Sequence, residues 1–189
     1  MTAGGDSSTV EQPTLQLEDG GTTPTSPLQF VIEQIDVHTA CKLNEQWHSR
    51  LPQIHWSNVV RNKHYVCYGA RFEGNLFAIA IWSSPVAANR LKNGQQLLEL
   101  RRFAISSEAP KNTATRMLAI MRRLISQKFP NLVGLISYQD TEVHSGTIYR
   151  ASGWNLAIVN DGQSWTNSTR KRNKEQSLAA KARWEIDLT

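Results

Sequence analysis

The stretch Leu97-Leu-Glu-Leu-Arg-Arg-Phe-Ala-Ile105, carried through Ala109-Pro-Lys-Asn-Thr-Ala-Thr-Arg116 to Leu132-Val-Gly-Leu-Ile-Ser-Tyr138, decides the fold. Its first part reads as an extended, largely buried strand over residues 97–105. A helix over 111–129 follows, because Met117, Leu118, Met121, Leu124, Ile125 and Phe129 recur at helical spacing while Arg116, Arg122, Arg123 and Lys128 fall toward solvent. Asn112 or Thr113 can cap it, and Pro130-Asn131 stops it. Residues 132–138 return as a second strand, which the handedness of such crossovers makes parallel to the first. The unit is strand, helix, strand.

The turn into that helix carries chemistry. The first N–H groups of a helix lack carbonyl partners, and here they come with Lys111, Asn112, Thr113, Ala114, Thr115 and Arg116. Free donors and cations at a helix start can hold a phosphate. As bare structure the same residues are a cap, a solvated lysine and an ordinary helix arginine.

Outward from this unit, residues 30–37 read as a first strand and 38–47 as a helix, ended by Ser49-Arg50-Leu51-Pro52. Residues 64–71 and 76–82 are strands joined at Phe72-Glu-Gly-Asn75, where Gly74-Asn75 can take positive φ. Residues 83–96 form a loop long enough to cover a site. Downstream come Ile148-Tyr-Arg-Ala-Ser-Gly-Trp154 and a closing strand over 182–188.

The chain has 189 residues, 40% of them hydrophobic, which suits a single domain with a real core. No apolar run approaches the roughly 20 residues of a membrane span, and the N-terminus lacks a signal-peptide pattern, so a soluble cytoplasmic protein is expected. Cys41 and Cys67 lack metal spacing and read as free thiols. Of the 21 Lys and Arg and 16 Asp and Glu, residues 1–27 hold only Asp6, Glu11, Glu18 and Asp19, which leaves 21 cations against 12 carboxylates, a net +9, from Leu28 onward. A body that basic suits a polyanion such as nucleic acid, or the phosphates of a coenzyme. Residues 1–27, rich in Gly, Ser, Thr and Pro, are expected to be a disordered tail, and 28–189 the single folded domain.

The block from Glu99 to Trp154 resembles the GNAT acyltransferases, whose last signature is an aromatic pair followed after a helical turn by Gly and an aromatic; Ile148-Tyr149 and Gly153-Trp154 stand there. The resemblance implies an α/β fold: a GNAT-like mixed central sheet with helices on both faces. It also implies acetyl-CoA or a related acyl-CoA, held along Arg102, Phe103, Ala104 and Ile105 and by residues 111–116. Many of these enzymes have a Gly-rich loop where this chain has residues 109–116 without a glycine. A narrower resemblance is to the Mom-type phage proteins, GNAT-like proteins that modify adenine in DNA and protect it from restriction. It rests on an ordered set: Trp47-His48, Glu99-Leu-Arg-Arg-Phe-Ala104, Thr115-Arg116, Ser137-Tyr-Gln-Asp140, His144-Ser-Gly-Thr-Ile-Tyr149 and Ala151-Ser-Gly-Trp154. This chain has Ser49 where that group commonly has tyrosine.

Acyl transfer to nitrogen needs a positioned carrier, a route for the amine's proton and an acid for the departing thiolate. Tyr149 suits the last role: the resemblance implies that it points at the thioester sulfur, and a phenol of pKa about 10 can donate to a forming thiolate. Its alternative is a core tyrosine under the Gly-Trp turn. Glu99, Asp140, His48 and His144 are the candidate bases or binders, and Glu99 is otherwise a strand carboxylate paired with Arg101 or Arg116. His48, His144, Asp140 and Tyr149 together also offer two imidazoles, a carboxylate and a phenolate to a divalent metal.

A duplex adenine must be unstacked before its amine can react, so aromatics and cations should line the approach. Trp47, Trp56, Trp82, Trp154 and Trp165 are available for stacking, although most tryptophans belong in cores. Arg50, Arg61, Lys63 and the Arg170-Lys-Arg-Asn-Lys174 run can meet phosphates. Three readings stay open: a DNA-modifying GNAT-like enzyme, an ordinary N-acetyltransferase for a small or protein amine, and an idle nucleic-acid-binding module of the same fold.

Overall fold

The computed structural model describes residues 11–13, 21–48, 53–86, 96–161 and 179–188. Seven strands form one mixed sheet: β1 (Val31–Ile35), β2 (Tyr65–Phe72), β3 (Asn75–Ser83), β4 (Leu97–Ile105), β5 (Gly134–Asp140), β6 (Asn155–Asn160) and β7 (Lys181–Asp187). Their order across the sheet is β1-β2-β3-β4-β5-β7-β6. Only β4 and β5 run parallel among these pairs, as a crossover through a helix requires. The helices are α1 (Val37–Trp47), α2 (Trp56–Val60), α3 (Thr113–Lys128) and α4 (Thr147–Ala151).

Each face of the sheet has its own core. On one side α3 buries Met117, Leu118, Met121 and Ile125 against Leu98, Leu100, Leu135 and Trp82. Each such side chain contributes about 1.5–3 kcal/mol when fully buried. On the other side Ala40, Ile54 and Val59 of the α1 and α2 layer pack on Cys67, Ile79, Ile81 and Ala104. Helices therefore cover both faces, as expected. Burial pushes the Cys67 thiol up to about 12, and the nearby Cys41 adds to this, so Cys67 behaves as a core atom while Cys41 is a partly buried free thiol.

The hairpin turn differs from expectation by one residue. Glu73 and Gly74 take the positive φ values, 44° and 79°, and Asn75 already starts β3 opposite Phe72. A two-residue turn with both residues left-handed matches the twist of its strands. The elements α2 and β6 are additional to those read from the sequence. The turn at 49–52 and most of the 83–96 loop lie outside the described residues.

Parts of the 1–27 segment are described and touch the domain. Ser26 caps a 3-10 turn, Pro27–Gln29, through a capping box with Gln29. The Gln12 carboxamide clips the edge of the sheet, accepting from Ile32 N–H at 2.7 Å and donating to Ile32 O at 2.6 Å.

Two features of β4 and β5 make the site. Ile81 faces Arg102 while Trp82 faces Leu100, so Arg101 is the extra residue of a β-bulge in β4. The parallel pairing of β4 with β5 runs only from Leu97 with Gly134 to Leu100 with Ser137. Past that point the strands part, and a V-shaped gap opens between Arg101–Ile105 on one arm and residues 138–140 on the other.

Candidate active site

The gap is the floor of a 460 Å³ cleft lined by residues from five elements, α1, β4, α3, β5 and α4. Phe103, Ala104 and Ile105 line the β4 arm, and Gln139 the β5 arm. Trp47 and His48 come from the end of α1, Ala114 from the start of α3, and residues 143–149, running from the loop after β5 into α4, complete the lining. Eight residues singled out in the sequence thus meet: Tyr149, His48, His144, Trp47, Phe103, Ala104, Ile105 and Ala114.

Tyr149 is fixed from three sides. Its phenol lies 2.8 Å from the Ser137 hydroxyl, at the fork itself. Its ring stacks on Trp184, with centroids 5.3 Å apart and planes 14° from parallel, and meets Trp154 edge-on at 5.5 Å. Burial raises the phenol above its ordinary range, and the Ser137 hydrogen bond opposes that rise. A phenol so placed stays protonated at neutral pH, as an acid must.

The loop from β5 into α4 is pinned by Gln139. Its amide donates to His144 O, and its oxygen accepts from Trp184 Nε1 at 2.6 Å. Gly146 then starts α4 at φ 73°, and a Cβ there would run into the Trp184 ring and lie 2.6 Å from Gln139 Oε1. Only glycine fits both the backbone angle and the space. Ser137, Gln139 and Gly146 carried no role in the sequence reading. The signal for Ser137 and Gln139 is their alternation within a buried strand: a polar residue facing inward there needs a partner.

His48 is half-buried. Burial, reinforced by the Arg102 guanidinium and by His144, holds its imidazole below the usual value. It is therefore neutral at pH 7 and able to accept a proton.

The helix start departs from the expected cap. Asn112 takes the left-handed conformation, φ 68°, and makes no side-chain cap bond. Asparagine is among the few non-glycine residues that tolerate this angle, so the turn forms without a glycine. Thr113 Oγ1 holds the turn instead, donating to Pro110 O at 2.7 Å. The N–H groups of Ala114 and Thr115, in the first turn, have no helical carbonyl behind them. Lys111 and Asn112 are exposed at this end.

Several sequence candidates lie elsewhere. Asp140 binds Lys181 Nζ at 2.6 Å across the β5–β7 pair and is not among the described residues lining the cleft. The Glu99 carboxylate is buried, accepting from Val86 N–H at 3.2 Å with Arg101 at 3.6 Å, which is the strand-carboxylate alternative. Arg102 donates to Arg101 O at 2.7 Å, and burial lowers its pKa. Arg116 reaches back to the start of β1, donating to Phe30 O at 3.3 Å and Pro13 O at 2.9 Å. The metal set is not assembled: among the described residues no three of His, Cys, Asp and Glu come together, and Lys181 takes the Asp140 carboxylate that the set required.

The tryptophans divide as well. Trp82 and Trp154 are core, their rings stacked at 6.3 Å, so neither can stack on a base. Trp47 lines the cleft, and Trp56 is exposed between His38 and His55. Trp165 and the 170–174 run lie outside the described residues. Among the described residues no helix is long and apolar enough to cross a membrane.

Comparison with known proteins agrees with this architecture. A model of the Mom protein family matches residues 29–187. No curated protein matches the sequence. Among solved structures, the ribosomal-protein-S18-alanine N-acetyltransferase of Escherichia coli superposes with a TM-score of 0.59 at 10% identity, over 85% of this chain and 94% of its own. The spermidine N-acetyltransferase of Vibrio cholerae, in complex with CoA and spermine, gives 0.59 at 11% identity, over 85% and 96%. A GNAT-family acetyltransferase of Streptococcus pneumoniae gives 0.57 at 9% identity, over 84% and 98%. The fold is the GNAT fold.

Proposed function

Because the chain belongs to the Mom protein family, we propose that it transfers an acyl or acyl-derived group from a coenzyme A thioester to the exocyclic amine of adenine in DNA, as an anti-restriction modification. The observation that carries this reading is the cleft where β4 and β5 separate, with the Tyr149 phenol and the His48 imidazole both in its lining. An idle binding module has no need of a buried phenol held at such a fork.

The residues divide the work. On the β4 arm, beyond the last pair with β5, backbone groups of residues 102–105 that face away from β3 suit the amides of a pantetheine chain. At the start of α3, the Ala114 and Thr115 N–H groups with Lys111 suit the coenzyme's pyrophosphate. The thioester when bound supplies an activated carbonyl. Tyr149 then lies on the floor to protonate the leaving sulfur, and His48 takes the proton lost by the attacking amine.

DNA as acceptor fits the basic body and the cleft mouth. Trp47 offers an aromatic face beside His48, where an unstacked base would enter. The same machinery would serve an ordinary N-acetyltransferase, so the acceptor is the point to test. The purified chain should consume acyl-CoA with duplex DNA and not with polyamines or peptides, and the DNA-dependent rate should fall steeply with salt. Consumption with small amines alone would assign the chain to the ordinary class.

A further inference from the structure

We propose that Ser137 is a positioning residue for proton transfer: its hydroxyl donates to Tyr149 Oη, which leaves the phenolic proton free for the departing sulfur and then stabilises the phenolate. This rests on the transfer reading given above. The two oxygens are 2.8 Å apart, and both side chains are buried.

The placement follows from the strands. Ser137 is the last residue of β5 paired with β4, opposite Leu100, and the gap begins immediately beyond it. It interrupts the apolar run Leu135-Ile136, and its polar side chain faces the interior. A buried hydroxyl needs a partner, and at the fork the Ser137 hydroxyl has the Tyr149 phenol within hydrogen-bond distance. A phenol has a single proton. When Ser137 is the donor, Tyr149 Oη is the acceptor and its proton points to the cleft.

The step balances as follows. The amine nitrogen bonds to the thioester carbonyl carbon, and the C–S bond breaks with its electron pair going to sulfur. Tyr149 gives its proton to that sulfur. His48 takes the proton that the amine sheds and releases it to solvent, and the phenolate left behind keeps the Ser137 hydrogen bond, now to a charged acceptor and therefore stronger, until it regains a proton from solvent.

The test uses the full chain carrying fluorotyrosine at position 149, followed by fluorine NMR across pH, together with steady-state kinetics of acyl-CoA consumption on DNA. Ser137→Ala should move the Tyr149 titration to higher pH and lower kcat about tenfold, with KM for the thioester within about twofold. Ser137→Thr keeps the hydroxyl and should restore both readouts. A Tyr149 titration unmoved by Ser137→Ala overturns the proposal, as does a Ser137→Thr variant that falls as far as Ser137→Ala. Absence of any thioester consumption by the unmodified chain would instead sink the transfer reading, and the NMR titration would still decide the Ser137 contact by itself.

Discussion

Trp184 of β7 and Tyr149 of α4 lie ring over ring, with centroids 5.3 Å apart and planes 14° from parallel. The pair joins the far half of the sheet to the cleft floor, because Trp184 is also held by Gln139, whose amide fixes the His144 loop. One indole therefore sets the position of two cleft residues. Trp184→Phe keeps a stacking ring but removes the N–H that Gln139 Oε1 accepts, leaving a buried oxygen unpaired. It should lower stability by about 1–3 kcal/mol in urea unfolding, and transfer should fall further than the loss of folded protein explains.

Gly146→Ala forces a side chain onto a left-handed backbone and into the Trp184 ring. The two penalties together should exceed about 2 kcal/mol, read as a lower denaturant midpoint. Gly153 also has positive φ, 76°, but no atom lies within 4 Å of its Cβ position. Gly153→Ala should therefore be the milder of the two.

His48 gives a pH prediction with a defined sign. Its imidazole is held below the usual value by burial, by Arg102 and by His144. A base with a lowered pKa stays neutral into more acidic solution, so the acid limb of kcat/KM should lie below the ordinary histidine value of about 6.5. Arg102→Gln removes one cation and should move the limb back upward. His48→Gln should abolish it.

Most of this architecture was legible in the sequence because it rests on periodicity. The stripe of Met117, Leu118, Met121 and Ile125 places α3 on the sheet, and β4 was legible as an extended, buried strand, although which face Leu98 and Leu100 take was not. The resemblance carried by Tyr149 and Gly153-Trp154, not periodicity, pointed to Tyr149 as a cleft residue, and it does line the cleft. What periodicity does not carry is which way a polar side chain turns. Asp140 sits at a strand end beside the cleft, and a cross-strand lysine, Lys181, decides its direction. Arg116 looks like a solvent-facing residue of the first helical turn until β1 brings the Phe30 carbonyl within its reach. The fork at Ser137 was hidden for the same reason, since strand separation depends on the bulge at Arg101 and on pairing with β3.

Lys111 and Arg116 now separate in what they should do. Lys111 is exposed at the helix start, so Lys111→Ala should weaken coenzyme A binding several-fold, about 3–10 times in calorimetry, with unfolding unchanged. Arg116 ties α3 to β1 through the Phe30 carbonyl, so Arg116→Ala should lower stability as well, by about 1–2 kcal/mol.

The central claim is that a phenol at the fork of β4 and β5 drives modification of a nucleobase. Mass spectrometry of nucleosides from the DNA of cells expressing the chain tests it most directly, with Tyr149→Phe as the companion variant. The account predicts an added modified adenosine in cells with the unmodified chain and its loss, to about one hundredth or less, with Tyr149→Phe. An unaltered nucleoside profile with the unmodified chain, or full modification by Tyr149→Phe, would contradict it.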